Sequence, residues 1–198
     1  MSENKQKQFD KREVTGFKRV CQRLFSGAKL DAKLFDAIES YGSDTREGVS
    51  NILELISIGA NVNASNRMGN TPLILACELN KFNLAIEFVK NEKTDFSCSN
   101  FIGYTALHCS VKNGNLSIIR LLLNANDERV NSMINKQDQN GNTALHLAVE
   151  SGNTEIVDFL LKRGANKFIE NNNRLIPIDV ARKKGHIEMV RLFQQQLR

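Results

Sequence analysis

One stretch of 33 residues decides the fold: Asp138–Glu170, which reads DQNGNTALHLAVESGNTEIVDFLLKRGANKFIE. Gly141 can supply the positive φ of a hairpin turn, and Thr143 can cap the helix that follows it. Gly152 is placed to end that helix with a second positive-φ residue. The apolar run from Ile156 onward has the spacing of a buried helical stripe. The stretch therefore predicts a hairpin turn followed by two short helices.

The same pattern occurs at three other places in the chain. Its anchor, Thr143, corresponds to Thr71, Thr105 and Ile176, and the successive intervals are 34, 38 and 33 residues. The two prolines, Pro72 and Pro177, follow their anchors directly, where the first helical turn tolerates a missing N–H. No single unit can bury its apolar face alone, so a repeat of this length indicates a stack of units.

This pattern resembles the ankyrin repeat, which has a period of 33 residues and a Thr-Pro-Leu-His-x-Ala core. The resemblance covers roughly residues 32–198 and implies an all-α solenoid of helix-turn-helix units joined by short β-hairpin loops. We divide the chain into an N-terminal arm, residues 1–29, and an ankyrin-repeat domain, residues 30–198. The five predicted units are residues 30–65, 66–99, 100–137, 138–170 and 171–198.

Some units depart from the standard period. We expect an additional loop at Tyr41–Glu47, one extra residue near Asn80–Asn83, and an insertion of about five residues around Asp127–Asn135. The insertion is either a projecting finger that contributes to specificity or a neutral surface insertion. The last unit has Arg174 in place of Gly and Ile176 in place of Thr, which we interpret as weaker turn constraints on a terminal unit.

The net charge of +5 lies in the N-terminal arm, where eight basic residues face three acidic ones. Apolar residues from Val14 to Phe25 share one helical arc and the arginines lie opposite, which predicts an amphipathic helix over residues 11–25. We expect this helix to cap the first unit. The alternative function is a membrane- or nucleic-acid-associated regulator that is anchored by this basic helix.

Composition and cysteine content favour a soluble protein of a reducing compartment. No apolar run approaches the length of a membrane span, and no apolar segment follows the charged N-terminus as in a secretory signal. The four cysteines, Cys21, Cys77, Cys98 and Cys109, contain no CxxC pair. We therefore expect free thiols in a cytoplasmic and monomeric protein.

No residue pattern predicts catalysis. His108 and His146 occupy the histidine position of the repeat, where we expect each ring to bond to the preceding turn. No spacing suggests a catalytic triad, a phosphate-binding loop or a zinc site. The repeats and the arm leave no room for a catalytic domain, so we expect no enzyme, no cofactor and no metal.

The resemblance implies that the protein binds another protein through its hairpin tips and its concave first-helix face. Proteins of this family act as adaptors, as inhibitors, and as effectors of intracellular microbes. The tip of the third unit stands out because Phe101, Ile102 and Tyr104 replace the polar residues of other tips. We predict this tip as the centre of the site. The predicted rim consists of Arg67, Met68, Glu78, Lys112, Asn113, Gln139, Asn142, Glu150 and Ser151. Alternatively, Phe101 or Ile102 folds back onto the insertion.

Overall fold

The structure is a computed structural model that describes residues 27–40, 46–124 and 132–195. Within these ranges the chain forms ten helices of seven residues or more. They are α1 (Gly27–Glu39), α2 (Arg46–Ile58), α3 (Pro72–Glu78), α4 (Phe82–Lys90), α5 (Ala106–Lys112), α6 (Leu116–Asn124), α7 (Ala144–Glu150), α8 (Thr154–Lys162), α9 (Pro177–Lys184) and α10 (Ile187–Gln195). No strand is formed by the described residues, so the predicted all-α class is confirmed.

The helices form two layers. The first helices of the units, α1, α3, α5, α7 and α9, contact one another in series. Each also packs on the second helix of its own unit, so every unit is a pair of packed helices. Three first helices each carry a small residue that is fully buried: Ala76, Ala148 and Ala181. Their size allows the helix backbones to approach closely, and the first helices therefore form a regular row.

The interval from the anchor residue to the second helix is the same in the second, third, fourth and fifth units. Each second helix begins eleven residues after its anchor, as in Thr71 to Phe82 and Thr105 to Leu116. In the second unit, Asn80 has a φ of 57° and replaces the glycine of the other units. The prediction of an extra residue near Asn80–Asn83 is therefore wrong. The extra residue follows Lys90, in the loop that leads to the next unit.

The described end of the third-unit insertion packs into the core. Residues 132–134 are helical, and Met133 and Ile134 are buried. This part of Asp127–Asn135 is therefore not a projecting finger. Residues 127–131 lie outside the described residues, as do the predicted helix over residues 11–25 and residues 41–45 of the first-unit loop. Arg46 and Glu47, which we predicted to lie in that loop, instead belong to α2.

The described cysteines are free thiols held at low reactivity. Cys77 and Cys109 are buried and Cys98 is half-buried. Burial raises the pKa of Cys77 to about 12, and it raises the pKa of Cys109 further. A thiol with a raised pKa holds its proton and is a poor nucleophile. Cys77 and Cys109 therefore serve the packing of the first helices α3 and α5. None of the described helices is long and apolar enough to cross a bilayer.

Candidate functional site

The connections between units form a row of tight turns, which we call tips 2, 3, 4 and 5. They comprise residues 66–70, 100–104, 138–142 and 171–175. Each tip begins with Asn or Asp, and its side-chain oxygen accepts two backbone N–H groups. In tip 3, Asn100 Oδ1 accepts from Ile102 N at 3.2 Å and from Tyr104 N at 2.9 Å. These hydrogen bonds are made within the tip itself, as is usual for Asn and Asp in turns, so they fix the conformation of the turn locally.

Backbone hydrogen bonds join neighbouring tips. Phe101 N donates to Met68 O at 3.1 Å, Gln139 N to Ile102 O at 3.1 Å, and Asn172 N to Asn140 O at 3.0 Å. The close approach explains the glycine of the motif. A Cβ atom on Gly103 would lie 2.7 Å from Asp138 Cα, which is closer than such atoms pack. The tips are therefore one connected row rather than four independent loops.

Side-chain amides reinforce the row at two of its three junctions. Asn100 Nδ2 donates to Asn70 Oδ1, and Asn171 Nδ2 donates to Asn142 Oδ1, both at 2.9 Å. The middle junction differs, because Tyr104 and Asp138 stand at the equivalent positions. Among the described residues none donates to the buried Asp138 Oδ2. The middle junction therefore lacks the amide pair of its neighbours.

The two repeat histidines connect each first helix to both neighbouring turns. Thr105 N donates to His108 Nδ1 at 3.3 Å, and His108 Nε2 lies 3.2 Å from Asn142 O in tip 4. His146 makes the same contacts with Thr143 N and with Leu175 O, at 3.1 and 3.0 Å. Since Nδ1 accepts, Nε2 holds the proton and donates to the carbonyl. The predicted bond to the preceding turn is confirmed, while the second bond, to the next tip, was not predicted.

Burial lowers the pKa of both histidines, and the carbonyl acceptors at Asn142 and Leu175 oppose this effect. A protonated ring has no lone pair at Nδ1, so it loses the bond from the Thr N–H. The neutral form is thus the one that fits the fold. Both ring nitrogens of His108 and of His146 therefore bind backbone groups that hold the tips in place.

The apolar residues of tip 3 lie at the surface beside an apolar residue of tip 2. Phe101 is 67% exposed, Ile102 48% and Met68 66%. The Phe101 ring packs closely against the backbone of tip 2. A Cβ atom built on Gly69 would lie only 2.7 Å from Phe101 Cδ1. We call Met68, Phe101 and Ile102 the apolar tip patch.

Tyr104 differs from the other two predicted anchors. It is half-buried, and its ring stacks on the His108 ring with the centroids 5.6 Å apart. Lys112 Nζ lies 5.5 Å from the centre of the Tyr104 ring. Burial, and next the charge of Asp138, raise the pKa of Tyr104. Tyr104 is therefore part of the junction between units rather than a freely exposed anchor.

The polar residues of the predicted rim are mostly exposed, and several already have partners within the fold. Asn113 Nδ2 donates to the carbonyl oxygen of Glu78 at 2.8 Å. Glu78 Oε2 in turn accepts from Asn70 Nδ2 at 2.7 Å. Glu150 pairs with Lys184 at 3.1 Å. These residues stabilise the scaffold next to the patch, and a partner that binds them must share or replace these bonds.

The remaining rim residues follow the row of tips. Gln139 Nε2 donates to Phe101 O, and Asn142 Oδ1 accepts the amide of Asn171. Ser151 Oγ donates to Ala148 O at 2.9 Å. Arg67 is exposed at the edge of tip 2. Residues 27–40, 46–124 and 132–195 contain no group of three or more His, Cys, Asp or Glu residues that could hold a metal ion.

Comparison with known proteins agrees with this geometry. A family model described as ankyrin repeats (3 copies) matches residues 43–134 and 125–196. The chain therefore belongs to the ankyrin-repeat family. It is also similar to the tyrosine-protein kinase HTK16 of Hydra vulgaris, with 29% identity over 128 residues. The match covers 63% of this chain but only 16% of the kinase, so the chain spans a small part of that relative.

Proposed function

We propose that this protein acts without catalysis, as an adaptor or inhibitor that binds another protein through its row of tips and its first-helix face. Ankyrin repeats are protein-interaction modules. The observation that carries the proposal is the apolar tip patch, in which Met68, Phe101 and Ile102 are exposed side by side. The matching positions of tips 4 and 5 are polar, as in Gln139 and Asn172.

The setting of the patch favours tight binding. Large apolar side chains that are exposed together commonly mark an interface, and aromatic anchors at its centre contribute most of the affinity. The backbone beneath them is held by the Asn100 turn and by bonds to tips 2 and 4. A rigid surface loses little conformational entropy on association, so more of the contact energy appears as affinity.

The non-catalytic part of the proposal rests on what the reactive side chains already do. The ring nitrogens of His108 and His146 contact backbone groups of adjacent turns. Cys77 and Cys109 are buried thiols with raised pKa values. A protein that acts by covering a surface of its partner needs no cofactor. It needs only a binding surface, which here is the row of tips and the first-helix face. We place this function in the cytoplasm, where such thiols stay reduced.

Photo-cross-linking tests the proposed position of the partner. Phe101→benzoylphenylalanine introduces a cross-linker into the patch, and Phe168→benzoylphenylalanine is the matched control, since Phe168 is 61% exposed in the loop before tip 5. We expect a discrete cross-linked protein from position 101 in cells, and none of that mass from position 168. Equal products at both positions, or a product at 168 alone, would refute the proposed site.

A further inference from the structure

A groove of about 720 Å³ runs between α1 and tip 2 at the N-terminal end of the stack. Its lining includes apolar side chains, among them Ala32 and Phe35 of α1 and Met68 of tip 2, and polar ones such as Asn61 and Ser65. Asp36 and Glu39 line the groove from α1 and are exposed. The groove is therefore partly apolar, and its lining holds three acidic side chains, Asp31, Asp36 and Glu39, against one basic side chain, Arg67.

The repeat itself indicates what belongs in this groove. In the later units a tip directly precedes each first helix, and its second residue donates to the tip before it. Phe101, Gln139 and Asn172 are these donors, and Arg67 is the equivalent residue of tip 2. No earlier tip exists among the described residues to accept from Arg67, and Arg67 lines the groove. By the same pattern, the residues that lead into α1 would form the tip that precedes tip 2. The groove lies at that position.

We infer that residues 1–26 of the same chain occupy this groove. The charges are complementary, since these residues contain seven basic and three acidic side chains. The basic residues are Lys5, Lys7, Lys11, Arg12, Lys18, Arg19 and Arg23, and the acidic ones are Glu3, Asp10 and Glu13. Phe17, Leu24 and Phe25 supply apolar side chains for the apolar part of the lining. Through this contact the protein covers its own N-terminal end and Met68, while Phe101 and Ile102, which do not line the groove, stay open to a partner.

Because residues 1–26 are covalently joined to α1, even a weak contact is sufficient to keep them in the groove. The segment joins the groove wall directly, because α1 begins at Gly27. A short flexible tether gives an effective concentration in the millimolar range. A contact that would be weak between separate molecules is therefore well populated within one chain. This inference goes beyond the proposed function, because it concerns the chain's own occupant of a second surface.

A spin label on Cys21 of the full chain tests the inference. Cys98→Ser leaves Cys21 and two buried thiols, so the label attaches at Cys21. We expect strong paramagnetic broadening of the amide signals of Glu39, Ser65 and Met68, which line the groove but are remote from Cys21 in sequence, and little broadening in α8 to α10. Asp36→Asn with Glu39→Gln should reduce this broadening several-fold, as should high salt. The control Glu92→Gln with Glu170→Gln removes two exposed acids elsewhere and should leave the broadening unchanged.

Three results would overturn the inference. Broadening that is absent from the groove, or spread evenly over all units, means that the segment does not dock there. Broadening that is unaffected by the Asp36 and Glu39 changes means that charge does not hold it. A mixture of spin-labelled chain without isotope and isotope-labelled chain without spin label distinguishes a second copy. Broadening in that mixture as strong as in the single sample would show that the occupant comes from another molecule.

Discussion

Tips 3 and 5 have the same turn but differ in what surrounds it. Gly103 has a φ of 82° and Arg174 has a φ of 56° at the equivalent place. A side chain at 103 would collide with Asp138 of the next tip, whereas no described tip follows Arg174. The prediction of weaker constraints in the last unit is thus half correct: the positive φ remains, and only the steric constraint is gone.

The same two tips also differ in exposed chemistry. Tip 3 presents Phe101 and Ile102, whereas tip 5 presents Asn172 and Asn173. The scaffold contacts are common to both, because Asn100 and Asn171 form equivalent turns. The turn residues therefore fix the backbone of each tip, while the residues between them are free to determine what the surface binds.

Substitution at the turn glycine is the strongest test of this comparison. Gly103→Ala adds a Cβ at positive φ and against the backbone of tip 4, so we expect it to cost about 2–4 kcal/mol of unfolding free energy. Arg174→Gly relieves a strained φ and should change stability by less than about 1 kcal/mol, in either direction. Urea denaturation of both variants measures the difference. Similar losses in the two variants would mean that contact with the next tip is unimportant.

Removal of the histidine bridge is the next largest expected effect. His108→Ala leaves the Thr105 N–H and the Asn142 carbonyl without their partner, and we expect a loss of about 2–3 kcal/mol. The second unit has Ile74 at this position, which is buried without such a bridge. Ile74→Ala removes a buried side chain but no bridge, and so provides the comparison. Hydrogen exchange separates the two, since only His108→Ala should expose the amides of tip 4.

Stability should fall as the pH is lowered from 7 to 5. The pKa values of His108 and His146 are lowered in the folded chain, so the neutral rings contribute fully above the unfolded value of about 6.5. As the pH falls below that value, the unfolded state takes up protons first and this contribution is lost. The slope is at most about 1.4 kcal/mol per pH unit for each histidine. The double variant His108→Ile with His146→Ile should flatten the dependence of the unfolding free energy on pH. An unchanged slope would mean that other groups cause the loss of stability.

A smaller effect is expected at the amide pairs between tips. Asn171→Asp places a carboxylate against Asn142 Oδ1, so a donor is lost, and we expect a cost of about 1–2 kcal/mol. The inverse change, Asp138→Asn, occurs where Oδ2 has no described donor and should alter stability by less than about 0.5 kcal/mol. Thermal and urea unfolding compare the pair. A large loss from Asp138→Asn would show that the carboxylate is needed at this junction.

Local chemistry explains why much of the scaffold was predictable. The caps at Thr71 and Thr105, the prolines at the first helical turn and the turn glycines each depend on neighbours within a few residues. The histidine bond to the preceding turn belongs to the same class. The bridge from His108 to Asn142 spans 34 residues, and no local pattern indicates it.

The side-chain surroundings of the candidate site were less predictable. The sequence showed that Phe101, Ile102 and Tyr104 are unusual for a tip, but not that Tyr104 turns onto His108. It also did not show that the side-chain amide of Asn113 donates a hydrogen bond to the carbonyl oxygen of Glu78. The misplaced extra residue has a similar cause, because Asn80 replaces glycine at positive φ and conceals the register of the turn.

The central claim is that the apolar tip patch binds the partner while the scaffold beneath it stays intact. The most direct measurement is the affinity and the unfolding free energy of Phe101→Ser with Ile102→Ser, compared with Phe168→Ser. Because Phe101 and Ile102 are exposed, we expect stability within about 1 kcal/mol of the parent. We expect partner affinity to fall at least tenfold, or about 1.4 kcal/mol, with no change for Phe168→Ser. Unchanged affinity in the double variant, or an equal loss in Phe168→Ser, would contradict the account.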